Sequence, residues 1–288
     1  MHPYLKLLRP KQYVKNVFII APLFFSGSIT IEKIEKTFIA FFAFCCIASV
    51  VYIFNDIKDL ETDKLHPKKK NRPIASGAVS INIAYSVALL LLLLGCTLAF
   101  ISQPKILLVF AVYLGINICY SIGLKQFVII DVSIIAFGFL LRLFVGSLAS
   151  SSELSIWIII ETYLLALFLA LAKRRTDLVL HLDGVSTRKN IEKYNLKFID
   201  TTLSSLTALI TIAYLIFSIS PDIQSRYHSK LVYMSGLFVL HGLLRYLKLA
   251  LVDQTPLAPH TLVLKDRQLQ LTIFLWVVFM GGLLYVKV

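Results

Sequence analysis

Charged side chains are scarce in this chain. Aspartate, glutamate, lysine and arginine together make up 16% of its 288 residues, while hydrophobic residues make up 58% and the mean hydropathy is +0.79. A soluble domain is about a quarter charged and about half apolar. The composition therefore excludes an ordinary soluble domain and indicates that the chain is surrounded by lipid.

Cysteine pairs and linker-like segments are also lacking. The four cysteines, Cys45, Cys46, Cys96 and Cys119, lie inside apolar runs and form no Cys-x-x-Cys pair. Metal and redox sites built from cysteine use such spacings, so we expect these side chains to be inert parts of helices. No internal repeat, low-complexity linker or cleavable signal pattern is visible. One helical domain over residues 1–288 is the simplest prediction.

Long apolar runs dominate what the sequence does contain. A membrane-spanning helix needs about 20 mostly apolar residues. Nine runs approach this length, and the first is short and interrupted by Pro22. We therefore predict an all-α, polytopic membrane bundle of about nine transmembrane helices. The predicted spans are 14–30, 37–54, 80–101, 104–122, 127–149, 154–172, 202–220, 230–247 and 270–287.

The basic residues are distributed unevenly between the two sides of the predicted bundle. With the N-terminus inside, cytoplasmic segments hold 22 of the 29 lysines and arginines. Because lysine and arginine accumulate in cytoplasmic loops, this asymmetry predicts a cytoplasmic N-terminus. The long loops 55–79, 173–201 and 245–269 then share the cytoplasmic side of a plasma membrane, such as the bacterial inner membrane. No soluble basic domain is left to bind nucleic acid.

An acidic motif stands at the end of the second predicted helix. It reads Asn55-Asp56, followed by Asp59 and Asp63 at spacings of three and four. If the helix continues past the membrane edge, the three aspartates lie along one stripe. Mg²⁺ is typically held by one or two carboxylates together with substrate phosphate oxygens. The motif therefore predicts a Mg²⁺ site, with a solvated acidic helix end as the alternative.

A basic loop follows the acidic motif directly. Five basic residues occur in nine positions, namely Lys64, Lys68, Lys69, Lys70 and Arg72. Topology alone could explain any single lysine here, whereas arginine can grip phosphate with two parallel hydrogen bonds. The acidic motif offers carboxylates that can bind a metal, and the basic loop beside it offers cations that can bind phosphate. Together they predict a site for a metal-bridged diphosphate.

This motif and the following Arg-Pro-Ile-x-x-Gly sequence resemble the first aspartate-rich motif of the UbiA superfamily of intramembrane prenyltransferases. The resemblance implies an all-helical, nine-span fold. Aromatic prenyltransferases of this superfamily carry a second motif, Asp-x-x-x-Asp, after the sixth helix. Here Asp177 and Asp183 are six positions apart, and Lys173-Arg174-Arg175 precedes them. A cationic cluster at this place suits a substrate with an additional phosphate.

Further segments resemble one branch of the superfamily, the decaprenyl-phosphate phosphoribosyltransferases. These segments are 8–16, 120–125, Asp131, 139–142, 161–175, 245–246 and 266–270. The resemblance implies Mg²⁺-dependent transfer of a 5-phosphoribosyl group from phosphoribosyl diphosphate (PRPP) to a polyprenyl phosphate. The alternatives are a prenyltransferase that joins a polyprenyl diphosphate to an aromatic or other acceptor, and a transporter. A transporter would be expected to concentrate polar residues near the membrane midplane, whereas here they gather at one face.

Candidate site residues follow from these patterns and from the resemblance. We expect Asp56, Asp59 and Asp63 to be the catalytic metal ligands. Arg142 lies inside a predicted helix, where an isolated charge costs about 2.5–3.5 kcal/mol, so it either has a structural partner or contacts the substrate. The expected substrate contacts are Lys15, Asn16, Asn55, Lys69, Arg72, Tyr120, Lys125, Asp131, Arg142, Lys173 and Arg174.

Overall fold

A computed structural model of the chain describes residues 2–66, 69–184, 191–255, 257 and 259–285, and over these residues the only regular secondary structure is helical. Short 3₁₀ turns and one π-helical segment, Lys248–Val252, connect or extend the α-helices. The α-helices are α1 (Pro3–Leu8), α2 (Ala21–Phe25), α3 (Ile31–Lys58), α4 (Leu60–Leu65), α5 (Ile81–Ser102), α6 (Ile106–Ile122), α7 (Ile130–Ser150), α8 (Ile156–Leu182), α9 (Leu196–Ile219), α10 (Pro221–Tyr227), α11 (Ser235–Leu247), α12 (Pro259–Lys265) and α13 (Arg267–Tyr285).

Seven helical segments among the described residues are long and apolar enough to cross a membrane. They are α3, α5, α7, α8, α9, Lys230–Val252 and α13. Helix α6 is apolar but has only 17 residues. These helices confirm the predicted all-α membrane architecture, although they do not confirm the count of nine spans.

The first predicted span, 14–30, is not one continuous helix. A 3₁₀ segment covers Pro10–Ile19, and the five-residue helix α2 begins at Ala21. Proline lacks a backbone N–H and its ring clashes with the preceding turn, so Pro22 fits only in the first turn of a helix. The break therefore follows from Pro22, and the segment is too short to span a membrane as an α-helix.

Polar side chains mark where several long helices begin. Thr30, Ser80 and Ser155 each accept a hydrogen bond from the backbone N–H three residues later, at 3.3–3.4 Å. Asn195 accepts from two backbone N–H groups at the start of α9. Such caps satisfy backbone donors that have no partner within the helix, and each contributes about 1 kcal/mol.

The chain divides into two compact units, and the first comprises residues 1–125 and 138–154. Helix α3 packs against α5 around Phe44 and Ile47, which are fully buried. Gly146 of α7 permits a close backbone approach: a β-carbon placed there would stand 2.8 Å from the carbonyl carbon of Ile19. The 3₁₀ segment that contains Lys15 and Asn16 can lie against α7 because this position has no side chain.

The second unit comprises residues 126–137 and 155–288. Helix α8 packs against α9, and α11 packs against α13. Its core contains Phe168, Ile199 and Leu203, all fully buried. The described residues thus form two cores, while the single domain over 1–288 stays a prediction.

Candidate active site

The acidic motif begins in the last turn of α3, which ends at Lys58. Asp59 separates α3 from the short helix α4, so the single continuous helix on which the predicted stripe depends ends before Asp63. The break is slight, because the N–H of Asp59 donates to the carbonyl of Asn55 and the N–H of Asp63 donates to that of Asp59. Helical spacing is therefore nearly preserved from Asp56 to Asp63.

Asp56 and Asp63 converge on one arginine. Both carboxylates are almost fully buried, with residue exposures of 2% and 1%. A single nitrogen, Nη1 of Arg72, donates to Oδ1 of Asp56 at 3.0 Å and also to Oδ2 of Asp63. The Nζ atom of Lys69 lies 3.9 Å from Oδ1 of Asp63. Two carboxylates about two helical turns apart therefore share one positively charged position.

Asp59 has a different partner from the other two aspartates. Its Oδ1 accepts a hydrogen bond from Nζ of Lys125 at 2.6 Å, and its side chain is 35% exposed. Asn55 accepts a hydrogen bond from Ser121 of α6. Across the described ranges, no group of three or more His, Cys, Asp or Glu side chains is arranged to hold a metal ion. The predicted stripe thus applies to Asp56 and Asp63, whereas Asp59 pairs with Lys125.

Arg9 is a charged neighbour of the motif that was not among the predicted site residues. Its guanidinium donates to Asp56 and lies 5.2 Å from the centre of the Tyr52 ring. Its backbone is left-handed, with φ 54° and ψ 54°, and Pro10 follows. This conformation costs about 1–2 kcal/mol, and a following proline disfavours helical angles further. Burial lowers the pKa of Arg9, and the opposing effect of Asp56 is smaller.

The predicted ligands Asp131 and Arg174 meet in the second unit. Arg174 is fully buried; its Nε donates to Oδ2 of Asp131 at 2.9 Å and its Nη1 to Oδ2 of Asp177 at 2.7 Å. Tyr194 donates to Oδ1 of Asp131 at 2.5 Å. Burial, followed by this hydrogen bond, raises the pKa of Tyr194 above its usual value. Nη2 of Arg174 has no hydrogen-bond partner in the described part of the chain.

Arg142 and Asn16, two further predicted ligands, contact each other inside the first unit. Nε of Arg142 donates to Oδ1 of Asn16 at 2.8 Å, and Nη1 donates to the carbonyl of Gly138 at 2.7 Å. The guanidinium also lies 4.6 Å from the centre of the Phe44 ring. These contacts offset the cost of a buried charge and favour the structural role for Arg142. Substrate contact stays a prediction for both residues.

The remaining predicted ligands lie at three places. Lys15 is in the 3₁₀ segment Pro10–Ile19, Tyr120 is near the end of α6, and Lys173 precedes Arg174 in α8; all three are half-buried. Lys68 of the basic loop lies outside the described residues. The first unit therefore brings together Asn55, Asp56, Asp59, Asp63, Lys69, Arg72 and Lys125, while the second contains Asp131, Lys173 and Arg174.

The cluster in the first unit contains the groups that a metal–diphosphate complex needs. Carboxylate oxygens are the ligands that Mg²⁺ prefers, and Asp56 and Asp63 already direct theirs to one cation. Arginine and lysine beside them can form charge-assisted hydrogen bonds to phosphate oxygens. The donor set therefore fits Mg²⁺ with a diphosphate.

Similar proteins share both the sequence pattern and the fold. The chain is 32% identical over 280 residues to the decaprenyl-phosphate phosphoribosyltransferase of Corynebacterium glutamicum, covering 95% of this chain and 84% of that one. It is 31% identical over 285 residues to the Mycobacterium tuberculosis H37Rv protein of the same name, covering 96% and 92%. A UbiA homolog from Archaeoglobus fulgidus bound to DMAPP and Mg²⁺ has the same fold, with a TM-score of 0.73, 17% identity and 99% coverage of both chains.

The family match extends over almost all of the helices described above. Residues 17–278 match the UbiA prenyltransferase family, and this range includes the acidic motif, the basic loop and all seven apolar spans except the last residues of α13. An integral membrane protein follows from the spans and from this match. The chain therefore belongs to the UbiA prenyltransferase family.

Proposed function

We propose that this protein transfers a 5-phosphoribosyl group from PRPP to a polyprenyl phosphate and releases diphosphate. The similarity to decaprenyl-phosphate phosphoribosyltransferases carries this proposal, because it extends over 95–98% of the chain at 30–32% identity. The clustered aspartates and cations at the end of α3 support it, since PRPP presents a diphosphate for a metal and basic side chains to bind.

Asp56, Asp59 and Asp63 would hold Mg²⁺ in this reaction. The ion, when bound, would neutralise the charge that develops on the departing diphosphate. Arg72 and Lys69 stand beside Asp56 and Asp63 and would bind the diphosphate oxygens directly. Asn55, whose side-chain amide oxygen accepts a hydrogen bond from the Ser121 hydroxyl, would orient the end of α3 at the site.

The chemistry requires positioning more than proton transfer. A lipid phosphate is already anionic near pH 7, so its oxygen can attack C1 of the ribose without a general base. The bond from C1 to the diphosphate oxygen breaks as the new bond from C1 to the lipid phosphate forms. Fixed cations lower the barrier by holding both phosphates in place and by stabilising the transition state.

The other phosphates of the two substrates require additional basic and polar groups. Lys125, Lys173 and Arg174 would bind the 5-phosphate of the sugar and the lipid phosphate, with Lys15 and Asn16 as further contacts. Tyr120 would donate a hydrogen bond to the ribose or to a phosphate, and Asp131 would orient Arg174, to which it is already paired. Arg142 would act on the substrate only through Asn16.

The location of the substrates determines the orientation of the site. PRPP is soluble in water, and the tail of a polyprenyl phosphate is soluble only in the membrane. The site would therefore lie at the cytoplasmic face of the bacterial inner membrane, with the N-terminus on the same side. The distribution of lysine and arginine favours this orientation.

A transfer assay with purified protein tests the proposal. The protein in detergent, Mg²⁺, polyprenyl phosphate and labelled PRPP should give label in the lipid phase. Asp56→Asn should abolish this label, while Lys36→Gln, which removes a lysine paired with the exposed Glu32 at the opposite end of α3, should leave it unchanged. If PRPP remains intact and a polyprenyl diphosphate reacts with an aromatic acceptor instead, the protein is a prenyltransferase and the proposal is wrong.

A further inference from the structure

The acidic motif is already neutralised by side chains of the same chain. Three carboxylates, those of Asp56, Asp59 and Asp63, stand against four cations, Arg9, Lys69, Arg72 and Lys125. A divalent cation that approached this cluster alone would meet no net negative charge. Its binding would therefore gain little from long-range attraction and would require an existing ion pair to open.

The arginines engage the same atoms that a metal would use. Oδ1 of Asp56 accepts from both Arg9 and Arg72, and Oδ2 of Asp63 accepts from Arg72. A carboxylate oxygen that donates its electron pairs to a metal cannot keep two guanidinium hydrogen bonds in the same directions. An ion that binds through these two oxygens must therefore displace at least one arginine.

Arg72 is the arginine that can leave. It lies in the loop after the 3₁₀ turn Lys69–Asn71, and its side chain is 27% exposed, so water or a phosphate can reach it. The side chain of Arg9 is 26% exposed, so the two arginines differ in what holds them and not in their access to solvent. Arg9 is held by its left-handed backbone before Pro10 and by its position over Tyr52. A diphosphate offers Arg72 new anionic partners within the same cluster.

We propose that Arg72 is an exchangeable counter-ion of the metal-binding aspartates, so that the divalent cation and the diphosphate bind together and each binds weakly alone. Arg72 passes from Asp56 and Asp63 to the diphosphate when the metal takes the carboxylate oxygens, while Arg9 remains on Asp56. Because the two ligands are coupled, the diphosphate raises the affinity for the metal by the same factor as the metal raises the affinity for the diphosphate. The inference rests on the proposed function only in taking a diphosphate as the anionic substrate group.

Metal binding by an Arg72 variant tests this exchange. Removing Arg72 should strengthen metal binding, whereas removing a metal ligand would weaken it. The full-length protein in detergent is titrated with Mn²⁺, a paramagnetic substitute for Mg²⁺, and free Mn²⁺ is read by electron paramagnetic resonance. Arg72→Gln should bind Mn²⁺ alone about tenfold more tightly than the wild type, corresponding to roughly 1.4 kcal/mol. Lys36→Gln removes the same charge from an exposed pair with Glu32 at the opposite end of α3, and should bind Mn²⁺ like the wild type.

Binding of labelled inorganic diphosphate supplies the second arm. The wild type should bind diphosphate at least tenfold more tightly with Mn²⁺ than without it, on the order of the coupling energies known for linked sites. Arg72→Gln should lose most of this gain. Equal or weaker Mn²⁺ binding by Arg72→Gln would overturn the proposal, and so would an equal rise in Lys36→Gln, since that would be a general charge effect.

The wild type provides an independent test if Arg72→Gln does not fold. Labelling of Arg72 by phenylglyoxal, read by mass spectrometry, should increase with Mn²⁺ alone and decrease when diphosphate is added. If labelling of Arg72 changes with neither Mn²⁺ nor diphosphate, the exchange is contradicted. A parallel transfer assay separates the two proposals: exchange without phosphoribosyl transfer leaves this inference standing, and transfer without exchange leaves only the proposed function.

Discussion

Arg72 and Arg174 each join two aspartates, and the two bridges differ in their access to solvent. Arg72 joins Asp56 to Asp63 with a side chain that is 27% exposed. Arg174 joins Asp131 to Asp177 and is completely buried. The same pairing of charges can thus serve two purposes. An arginine that reaches solvent can exchange its partners for a ligand, whereas a buried arginine fixes the elements that carry its partners.

The buried bridge gains its rigidity from a third group. Tyr194, which precedes α9, donates to the Asp131 carboxylate and accepts from the N–H of Ile129. Asp131 near the start of α7, Arg174 in α8 and Tyr194 are thereby linked within one unit. Opening this link is costly, because removing one member leaves a buried charge without full compensation. The buried bridge is therefore structural, and Arg174 can serve the substrate only from a fixed position.

Asp131→Asn should cause the largest loss of stability among the changes compared here. It removes a carboxylate from the fully buried Arg174, which costs roughly 3 kcal/mol because Asp177 remains as a partner. Asp63→Asn is the matched change in the other bridge and should cost less, about 1 kcal/mol, since Asp63 is buried but Arg72 can turn to water. Thermal unfolding in detergent measures both. Equal losses would show that the two bridges do not differ.

Changes in the two bridges should affect transfer activity in the reverse order, with the larger loss in the exposed bridge. Asp63→Asn removes a proposed metal ligand and should reduce transfer roughly 10²–10³-fold, in the range found when a single group that stabilises the transition state is removed. Tyr194→Phe alters only the support of the buried bridge and should change transfer less than about tenfold. Initial rates at saturating substrates, with protein amounts corrected for folding, test this order. A larger loss in Tyr194→Phe would show that transfer depends more on the buried bridge than on the exposed one.

The sequence predicted the exposed bridge better than the buried one. Asp56, Asp63 and Arg72 are close in the chain, and their spacing indicates one site even though the helix breaks at Asp59. Lys173, Arg174 and Arg175 read as one basic cluster, but successive helical positions point about 100° apart. Arg174 accordingly meets Asp131, while Arg175 meets Asp200. Both arginines are buried, and only the packing around α8 decides which aspartate each one meets.

Arg9 shows a second limit of prediction from sequence. Its partner Asp56 is 47 positions away, and no local pattern relates the two residues. The strained backbone before Pro10 is likewise visible only in the structure. By contrast, the apolar runs predicted most of the helices, because lipid imposes a minimum length that appears directly in the sequence. Pro22 was the visible warning that the first of these runs was not a continuous helix.

Tyr194→Phe should have an intermediate effect on stability. It removes the hydrogen bond to Asp131 while keeping the ring, so Asp131 loses one of its donors in a buried site. A buried acceptor that loses a partner costs about 1–3 kcal/mol, less than loss of the whole carboxylate. Thermal unfolding of the single variant and of its combination with Asp131→Asn measures this coupling. Fully additive losses would show that Tyr194 does not act through Asp131.

A half-buried ion pair in the second unit, between Arg245 and Asp266, marks the lower end of the scale. Nη2 of Arg245 donates to Oδ2 of Asp266 at 2.7 Å, and this hydrogen bond is the main cause that lowers the pKa of Asp266. A lowered pKa means that the folded protein favours the charged carboxylate, so the contribution is present above the ordinary aspartate pKa and is lost as the pH falls through the lowered value. Asp266→Asn should therefore lower the melting temperature slightly at pH 7, and this difference should disappear in acid. A difference that persists in acid, or one as large as that of Asp131→Asn at pH 7, would show that solvent exposure does not set the strength of these pairs.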